Sequence, residues 1–313
     1  MKKSYQYSGK ITEAIYFEVK HKSEESKGKR RVSVSGILSF LGVSRSGYKS
    51  WCKRKPSMQV QRKHIIKARI KKIYDDSYQN YGAPKITKEI QKTGEKISER
   101  TVGKYMKEMN IKAQYIKPYT VTTKNSDFST ALNNVLNEQF NPDKPNTIWC
   151  TDITYIWTID GFVYLTSIMD LFSRKIIAWT LFQTLEVSCV IETINKAKSR
   201  RNLENPLIIH SDRGSQYVSK EYKRATSKMQ LSYSKKAYPW DNACIESFHA
   251  LIKREWLNRF KIRGYEHAYA LVFEYIEAFY NTVRIHSHCN YISPDQFEKL
   301  YAETQKVIET RAS

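Results

Sequence analysis

Three acidic residues, Asp152, Asp212 and Glu246, stand in three separate and strongly patterned segments of the 313-residue chain. Asp152 lies inside an apolar, β-branched run, where an unpaired carboxylate is costly to bury. A divalent cation is the usual compensation where several carboxylates meet, and such sites carry out phosphodiester chemistry. We therefore predict that the three acids are catalytic and bind two Mg²⁺ or Mn²⁺ ions, about 3.5–4 Å apart as in other two-metal sites.

An ordinary structural role is open to each acid taken alone. Asp212 follows the apolar run LIIHS and could cap a helix, and Glu246 could belong to a solvated helix face. Asp152 is harder to explain in this way, because Asp is depleted in strands. No single structural role accounts for all three acids, which favours a shared function.

The segment around Glu246 has helical spacing and carries two further polar residues. Asn242 and Lys253 lie four residues before and seven residues after Glu246, so the three side chains share one helix face. An amide, a carboxylate and an ammonium on one stripe could contact a metal ion and a DNA phosphate together. We therefore predict that Asn242 and Lys253 bind DNA, with a solvated helix face as the alternative.

The formal charge of +22 is concentrated in the first part of the chain. Residues 1–120 carry 29 Lys and Arg against 10 Asp and Glu, a net charge of +19, whereas residues 121–313 carry 24 against 21, a net charge of +3. This asymmetry is typical of a nucleic-acid-binding arm joined to a catalytic domain.

Cysteine usage and hydropathy set the expected compartment. The five cysteines form no C-x-x-C pair, which argues against a zinc-binding domain and favours a reducing environment. No uninterrupted apolar stretch approaches the length of a membrane span. We therefore expect a cytoplasmic protein.

The basic arm is predicted to contain two helix-turn-helix units. In residues 1–60, GILSFLGVSRSGYKSW has a helix, a glycine turn and a second helix opened by Ser44. In residues 61–120, the helix over 97–111 places basic side chains outward, so we predict that it is a DNA recognition helix. These side chains are Arg100, Lys104 and Lys107.

The remaining chain is predicted to hold a linker, a catalytic core and a tail. These are residues 121–142, 143–300 and 301–313. From Thr147 onward, three β-rich runs follow one another, with a hairpin at Asp160-Gly161. A helix, a buried strand, a helix, a short strand and the long helix carrying Glu246 come next.

Five long strings give the chain a resemblance to a known family. They are WCTDITYI, GFVYLTSIMDLFSRKIIAW, IIHSDRGSQYVS, WDNACIESFHALIKRE and YIEAFYNTVRIHSHCNYISPDQFE. Together with YGAPKITKEI and LGVSRSGYKSW they cover most of the chain. They resemble the second-frame (OrfB-type) transposase of a two-frame bacterial insertion sequence, whose DDE catalytic core is related to retroviral integrases.

The resemblance implies an α/β protein with a ribonuclease-H-like integrase core, a mixed five-stranded sheet with helices, behind an all-helical arm. It implies a transposase that binds the terminal inverted repeats of its element and catalyses metal-dependent cleavage and strand transfer. The implied partners are double-stranded DNA of the element ends and the target, and a second copy of the chain on that DNA. The first-frame protein is a further implied partner or fusion, because the chain lacks that protein's helix-turn-helix and leucine zipper.

The resemblance also assigns residues whose own patterns leave two interpretations open. It implies that His210 and Arg213 contact the active site or DNA, although packing at a strand end explains His210 equally well. The segment YN-x-x-R-x-H (280–286) could bind DNA or pack against the core. For Asp170 we predict a turn or cap role rather than metal ligation.

Two alternative functions remain at this stage. One is a non-catalytic DNA-binding regulator of the fused transposase, and the loss of any of the three acids would have favoured it. The other is a plain ribonuclease-H-type nuclease, which the large basic arm disfavours.

Overall fold

The computed structural model describes residues 9–25, 33–114, 132–203, 207–235 and 239–312. The chain forms two compact units, Met1–Ile66 and Lys67–Ser313. Residues 121–131, which make up half of the predicted linker, lie outside the described residues.

In the described part of the first unit, the helices before α4 pack around a small apolar core. The helices are α1 (Gly9–Glu25), α2 (Val34–Phe40) and α3 (Arg45–Lys53). Ser44 caps α3, because its Oγ accepts a hydrogen bond from the N–H of Gly47 at 3.2 Å. The turn between α2 and α3 places Gly42 at φ +69°, a conformation that favours glycine. This is the helix, glycine turn and capped helix that the sequence predicts.

The helices that follow include the predicted recognition helix. They are α4 (Met58–Asp76), which crosses the boundary between the units, α5 (Ala83–Lys92) and α6 (Glu99–Glu108). Helices α5 and α6 pack against each other, and they bury Ile86, Ile90 and Val102. The other face of α6 is exposed, as the sequence predicts, and it carries Arg100, Lys104 and Lys107.

A mixed five-stranded sheet forms the centre of the second unit. Its strands are β1 (Ile148–Thr158), β2 (Gly161–Asp170), β3 (Ile176–Phe182), β4 (Leu207–Ser211) and β5 (Met229–Tyr233). The spatial order is β3-β2-β1-β4-β5, with β1, β2 and β3 antiparallel and β4 and β5 parallel to β1. The hairpin falls at Asp160-Gly161, as predicted, with Gly161 at φ +119°.

Strands β1 and β4 pair over only part of their length. The pairing covers residues 148–150 of β1 and stops there. β4 ends at Ser211, so beyond Cys150 strand β1 has no strand partner on that edge. Asp152 lies two residues past this point, where β1 pairs with β2 alone.

Helices α7 (Val187–Arg200), α10 (Ala243–Glu255) and α11 (Tyr265–Phe273) pack against the sheet, and α8 (Ser215–Val218) and α9 (Lys220–Ala225) pack against α7. The last helix is α12 (Pro294–Ala312). A π-helical segment, Glu274–Tyr280, continues α11, and the predicted tail from residue 301 continues α12. Among the described residues no helix is long and apolar enough to cross a membrane.

Candidate active site

The three predicted catalytic acids lie at the point where β1 and β4 separate. Asp152 is on β1, two residues past its last pair with β4. Asp212 follows Ser211, the last residue of β4. Because β1 and β4 are parallel neighbours, both side chains lie toward the same edge of the sheet. Glu246 joins them from the first turn of α10, which packs against β1.

The three acids are electrostatically coupled. Loss of water around its carboxyl group and, second, the charge of Asp152 raise the pKa of Asp212 to about 6. The Gly214 N–H, which donates to Asp212 Oδ1 at 2.9 Å, opposes this rise. Desolvation also raises the pKa of Glu246, and Asp152 and Asp212 add to the effect. Asp212 and Glu246 therefore both experience the negative charge of Asp152.

The donor chemistry of this cluster suits a hard divalent cation. Carboxylate oxygens are the ligands that Mg²⁺ and Mn²⁺ prefer, and a bound cation would relieve the repulsion among the acids. In the described part of the chain, however, no group of three or more His, Cys, Asp or Glu side chains is arranged to hold a metal ion. The acids are thus electrostatically coupled without forming a ligand cluster, and their sharing of cations stays a prediction.

His249 is a site residue that the sequence analysis missed. Its Nδ1 lies 3.3 Å from Asp152 Oδ2, and its Nε2 lies 3.4 Å from the Oγ of Ser167 on β2. The imidazole is buried and so joins α10 to both central strands. The available signal was its position three residues after Glu246, which puts both on neighbouring parts of one helix surface.

Lys253 lies beside the acids, on the helix that carries Glu246. Burial lowers the pKa of its ammonium, and the charge of Asp152 acts in the opposite direction. Its Nζ lies 4.5 Å from the centre of the Tyr155 ring, a cation–π contact. Lys253 thus brings a positive charge to the rim of the carboxylate cluster.

The sequence predicts that Asn242 shares a helix face with Glu246 and Lys253, but α10 begins one residue after it. It directly precedes α10 and is only 2% exposed, so it cannot reach a DNA phosphate in this arrangement. Neither its Oδ1 nor its Nδ2 has a hydrogen-bond partner within the described residues. Its predicted role in DNA binding therefore requires a movement of this segment.

His210 and Arg213 hold the end of β4 in place. His210 is fully buried, its ring nitrogens lie 2.8 and 3.1 Å from Ser232 Oγ and Ser234 Oγ, and burial lowers its pKa to about 4. Arg213 donates through Nε to the Ser234 carbonyl at 2.7 Å. These contacts favour the packing interpretation of His210, and they commit part of the Arg213 guanidinium to the backbone.

The segment YN-x-x-R-x-H also packs against the core. Asn281 accepts a hydrogen bond from the Ile176 N–H and donates one to the Ile176 carbonyl, both at 3.0 Å. Arg284 forms a buried ion pair with Glu255.

Asp170 accepts hydrogen bonds from the backbone N–H groups of Asn146 at 2.8 Å and Phe172 at 3.0 Å, which is the turn role predicted for it.

Comparisons with known protein families agree with this architecture. Two models described as integrase core domains match residues 142–238 and 227–294, and a model described as an HTH-like domain matches residues 61–119. A helix-turn-helix region before an integrase core defines a DNA-binding, phosphoryl-transfer enzyme of the DDE class.

Individual relatives narrow the assignment. The chain is 35% identical over 248 residues to the transposase for insertion sequence element IS904 of Lactococcus lactis subsp. lactis (strain IL1403), covering 79% of this chain and 98% of the relative. It is 32% identical over 277 residues to transposase InsF for insertion sequence IS3A of Escherichia coli (strain K12), covering 87% and 96%. The chain belongs to the IS3 family of insertion-sequence transposases, and its function is DNA transposition.

A solved structure that is similar in part is the HTLV-2 integrase catalytic core domain in complex with magnesium. It is 19% identical, with a TM-score of 0.37, over 49% of this chain and 96% of that one. At that level the similarity adds nothing to the assignment.

Proposed function

We propose that this transposase binds the terminal inverted repeats of its element, and that Asp152, Asp212 and Glu246 form the active site in which it cuts and joins DNA. The observation that carries the proposal is the electrostatic coupling of Asp212 and Glu246 to Asp152, where the pairing of β1 with β4 ends and α10 packs against β1. Such a cluster weakens the fold unless a cation or a substrate compensates it. Perturbed carboxyl groups of this kind are typical of functional sites.

The proposed cofactor is a pair of Mg²⁺ or Mn²⁺ ions held by the three carboxylates. Bound divalent cations would supply charge neutralisation at the reacting phosphate and lower the pKa of the attacking hydroxyl group. In the first reaction a water oxygen attaches to phosphorus and the bond to the 3′ oxygen breaks, leaving a 3′-hydroxyl on the element. In the second, that 3′-hydroxyl attacks a target phosphodiester, and the target's own 3′ oxygen leaves.

The protein's residues orient these groups. Asp152 Oδ1 accepts a hydrogen bond from the Ile153 N–H at 2.8 Å, and His249 contacts Oδ2, so the carboxylate is held from two sides. The Gly214 N–H fixes Asp212 in the same manner. Lys253, at the rim of the cluster, is placed to contact a phosphate of the bound strand.

The basic arm is proposed to recognise the element ends. In this division of labour, residues 61–120 read the repeats through the exposed side chains of α6, residues 1–60 add a second basic helical unit, and residues 143–300 catalyse. The net charge of +19 on residues 1–120, against +3 on the rest of the chain, supports this division between DNA binding and catalysis. Two copies of the chain on paired ends, and the first-frame protein, are the proposed protein partners, and the bacterial cytoplasm is the proposed compartment.

The test is a cleavage and strand-transfer assay on DNA carrying the element's own ends, with Mg²⁺ or Mn²⁺ and with or without the first-frame product. We expect Asp152→Asn to abolish both reactions while end binding in a gel shift is retained, because Asn keeps the shape and loses the anionic ligand. Glu221→Gln, which alters an exposed glutamate in the first turn of α9, is the matched control and should behave as wild type.

Two results would overturn the proposal. Cleavage by Asp152→Asn at the wild-type rate would remove the acid from the chemistry. A wild-type chain that binds the ends but never cuts them, even with the first-frame product present, would favour the non-catalytic regulator. Replacement of Arg100 and Lys104 by Ala should weaken end binding and reduce its salt dependence, by a slope of about 0.9 in log K for each phosphate that is no longer neutralised.

A further inference from the structure

The hairpin between β1 and β2 carries an exposed aromatic surface, which we name the hairpin patch: Tyr155, Trp157 and Phe162. Trp157 is 64% exposed and Phe162 is 47% exposed. The Trp157 and Phe162 rings are cross-strand partners with centres 4.8 Å apart, and Phe162 meets the edge of the half-buried Tyr155 at 5.4 Å. Large aromatic rings that face solvent side by side mark interaction sites more often than isolated apolar residues do.

The patch and the proposed active site share strand β1 and the side chain of Lys253. Tyr155 comes three residues after Asp152, on the part of β1 that has no β4 partner. Lys253 connects the two, because its Nζ lies over the Tyr155 ring and its helix, α10, also carries Glu246. Trp157 is five residues from Asp152, about 17 Å along the strand. That span corresponds to about five nucleotide steps at about 3.4 Å each.

Positive charge flanks the patch. The Ile159 N–H, at the hairpin turn, donates to the Ile262 carbonyl at 2.9 Å and so places the segment around Ile262 beside the hairpin. Lys261 and Arg263, on either side of Ile262, are both exposed. Asp160 is the acidic neighbour, with its carboxylate against Gly264. Lys253 thus lies against the Tyr155 ring, and Lys261 and Arg263 lie in the segment beside the hairpin turn.

We propose that the hairpin patch binds a nucleobase unstacked from the DNA near the cleaved end, with Lys261 and Arg263 on the adjoining phosphates. The inference rests on the proposed function, which brings a DNA end to the proposed active site. Aromatic faces beside cations bind unpaired DNA of any sequence, because every base has a π face and every nucleotide a phosphate. A purely structural role for a cross-strand aromatic pair accounts for the ring contact. That structural role does not explain why Trp157 is exposed or why cations lie near the hairpin.

Photo-crosslinking tests this directly on the full-length chain. DNA ends carry 5-iodouracil at one of the first five positions beside the cleavage site, in separate samples, and crosslinked peptides are identified by mass spectrometry. We expect crosslinks to Trp157 or Phe162 from one or two adjacent positions. Crosslinks confined to other peptides would overturn the proposal.

Binding measurements add the energetics. Ends with two unpaired bases beside the cleavage site should bind more tightly than fully paired ends, because the cost of unstacking is already met. Trp157→Ala should weaken binding to the unpaired end by about 5- to 150-fold, the equivalent of one stacked base, while Trp157→Phe retains most of the affinity. Equal affinity of wild type and Trp157→Ala for that end would overturn the proposal.

Matched variants separate the patch from folding and from catalysis. Phe162→Ala should weaken binding to the unpaired end, whereas Phe273→Ala, which removes a 51% exposed ring from α11, should not. Equal losses in the two would indicate a nonspecific effect and overturn the proposal. Asp152→Asn should keep the crosslink. A wild-type chain that cuts DNA without the crosslink refutes the patch alone, and one that crosslinks without cutting refutes the proposed catalysis alone.

Discussion

Helix α10 carries two glutamates in opposite surroundings, about 14 Å apart along the helix. Glu246 lies in the first turn, where loss of water around its carboxyl group and then the charges of Asp152 and Asp212 raise its pKa. Glu255, the last residue, is buried. Burial alone would raise its pKa too, but the charge and hydrogen bonds of Arg284 lower it overall.

The hydrogen bonds at the two ends explain the difference. Glu255 accepts bonds from Arg284 at 2.7 and 2.8 Å and from the Tyr275 hydroxyl at 2.8 Å. Two carboxylates, rather than a cation, dominate the surroundings of Glu246. A carboxylate that serves the fold is compensated within the chain. One that serves chemistry is left for a ligand to compensate, which makes the local structure less stable on its own.

The Glu255 end also joins the helix-turn-helix region to the core. The Ile285 N–H donates to the Tyr81 hydroxyl oxygen at 2.8 Å, just ahead of α5. On α5 itself, burial and the charge of Arg284, opposed by Glu255, lower the pKa of Lys85 to about 7. One helix therefore connects the proposed catalytic cluster at its start to the DNA-binding region at its end.

Substitutions that act at the two ends of α10 should have opposite consequences for stability, and the largest expected effect is on catalysis. Glu246→Gln should reduce cleavage by at least about a thousandfold, because a lost metal ligand removes several kcal/mol of charge stabilisation and each 1.4 kcal/mol or so is tenfold in rate. Its stability should stay at or above the wild-type value, because one of three repelling charges is gone. A single-turnover cleavage assay paired with urea unfolding measures both. Marked destabilisation by Glu246→Gln would show that the two ends do not differ as described.

At the other end of α10, Arg284→Met should lower the free energy of unfolding by about 3–5 kcal/mol, since it leaves the Glu255 charge buried without its partner. Replacing both residues, with Glu255→Leu and Arg284→Met together, should recover much of that loss, because no uncompensated charge remains. Chemical denaturation of the two variants makes the comparison. If the double variant is no more stable than Arg284→Met, the Glu255–Arg284 ion pair contributes to the free energy of unfolding beyond the neutralisation of its two charges.

Much of the sheet follows from local pattern, and the contrast within α10 does not. Period-two runs and the Asp160-Gly161 turn predict β1 to β3, and the apolar run LIIHS predicts β4 at its observed bounds. The strand positions then bring Asp152 and Asp212 to one edge. The contact between His249 and Asp152, and the pairing of Glu255 with Arg284, join segments that are distant in sequence. Periodicity specifies which side of a helix is buried and not which distant side chain it will meet.

The region around Lys85 sharpens the comparison through pH. Its pKa in the folded state, about 7, lies below the ordinary value of 10.5, so the unfolded chain binds more protons between those values. The stability contributed by this site should therefore rise as pH increases from about 7 to 10.5. The effect is on the order of 1–2 kcal/mol after screening, since one pKa unit corresponds to about 1.4 kcal/mol.

Replacement of the lysine checks the source of that slope. Lys85→Met should flatten the rise relative to wild type, in urea unfolding at several pH values. Lys88→Met, which changes an exposed lysine on the same helix, should leave the slope unchanged. Identical slopes in all three proteins would mean that Lys85 keeps an ordinary pKa.

The smallest expected effect lies in the acid cluster itself. Because the pKa of Asp212 is raised from 3.8 to about 6, the folded protein binds more protons than the unfolded chain between those values. The contribution of Asp212 to stability should therefore fall as pH rises from about 4 to 6. An aspartate paired with an arginine would instead contribute more stability as pH rises. Asp212 is exposed, so solvent screening should keep this effect below about 1 kcal/mol.

Added Mg²⁺ at pH 7 should stabilise wild type and Glu221→Gln against unfolding, by an amount that grows with the ratio of the Mg²⁺ concentration to its Kd. Thermal unfolding with and without Mg²⁺ measures the shift. An equal shift in Asp212→Asn would place the bound cation away from the three acids, and the distinction between the two ends of α10 would then need another origin.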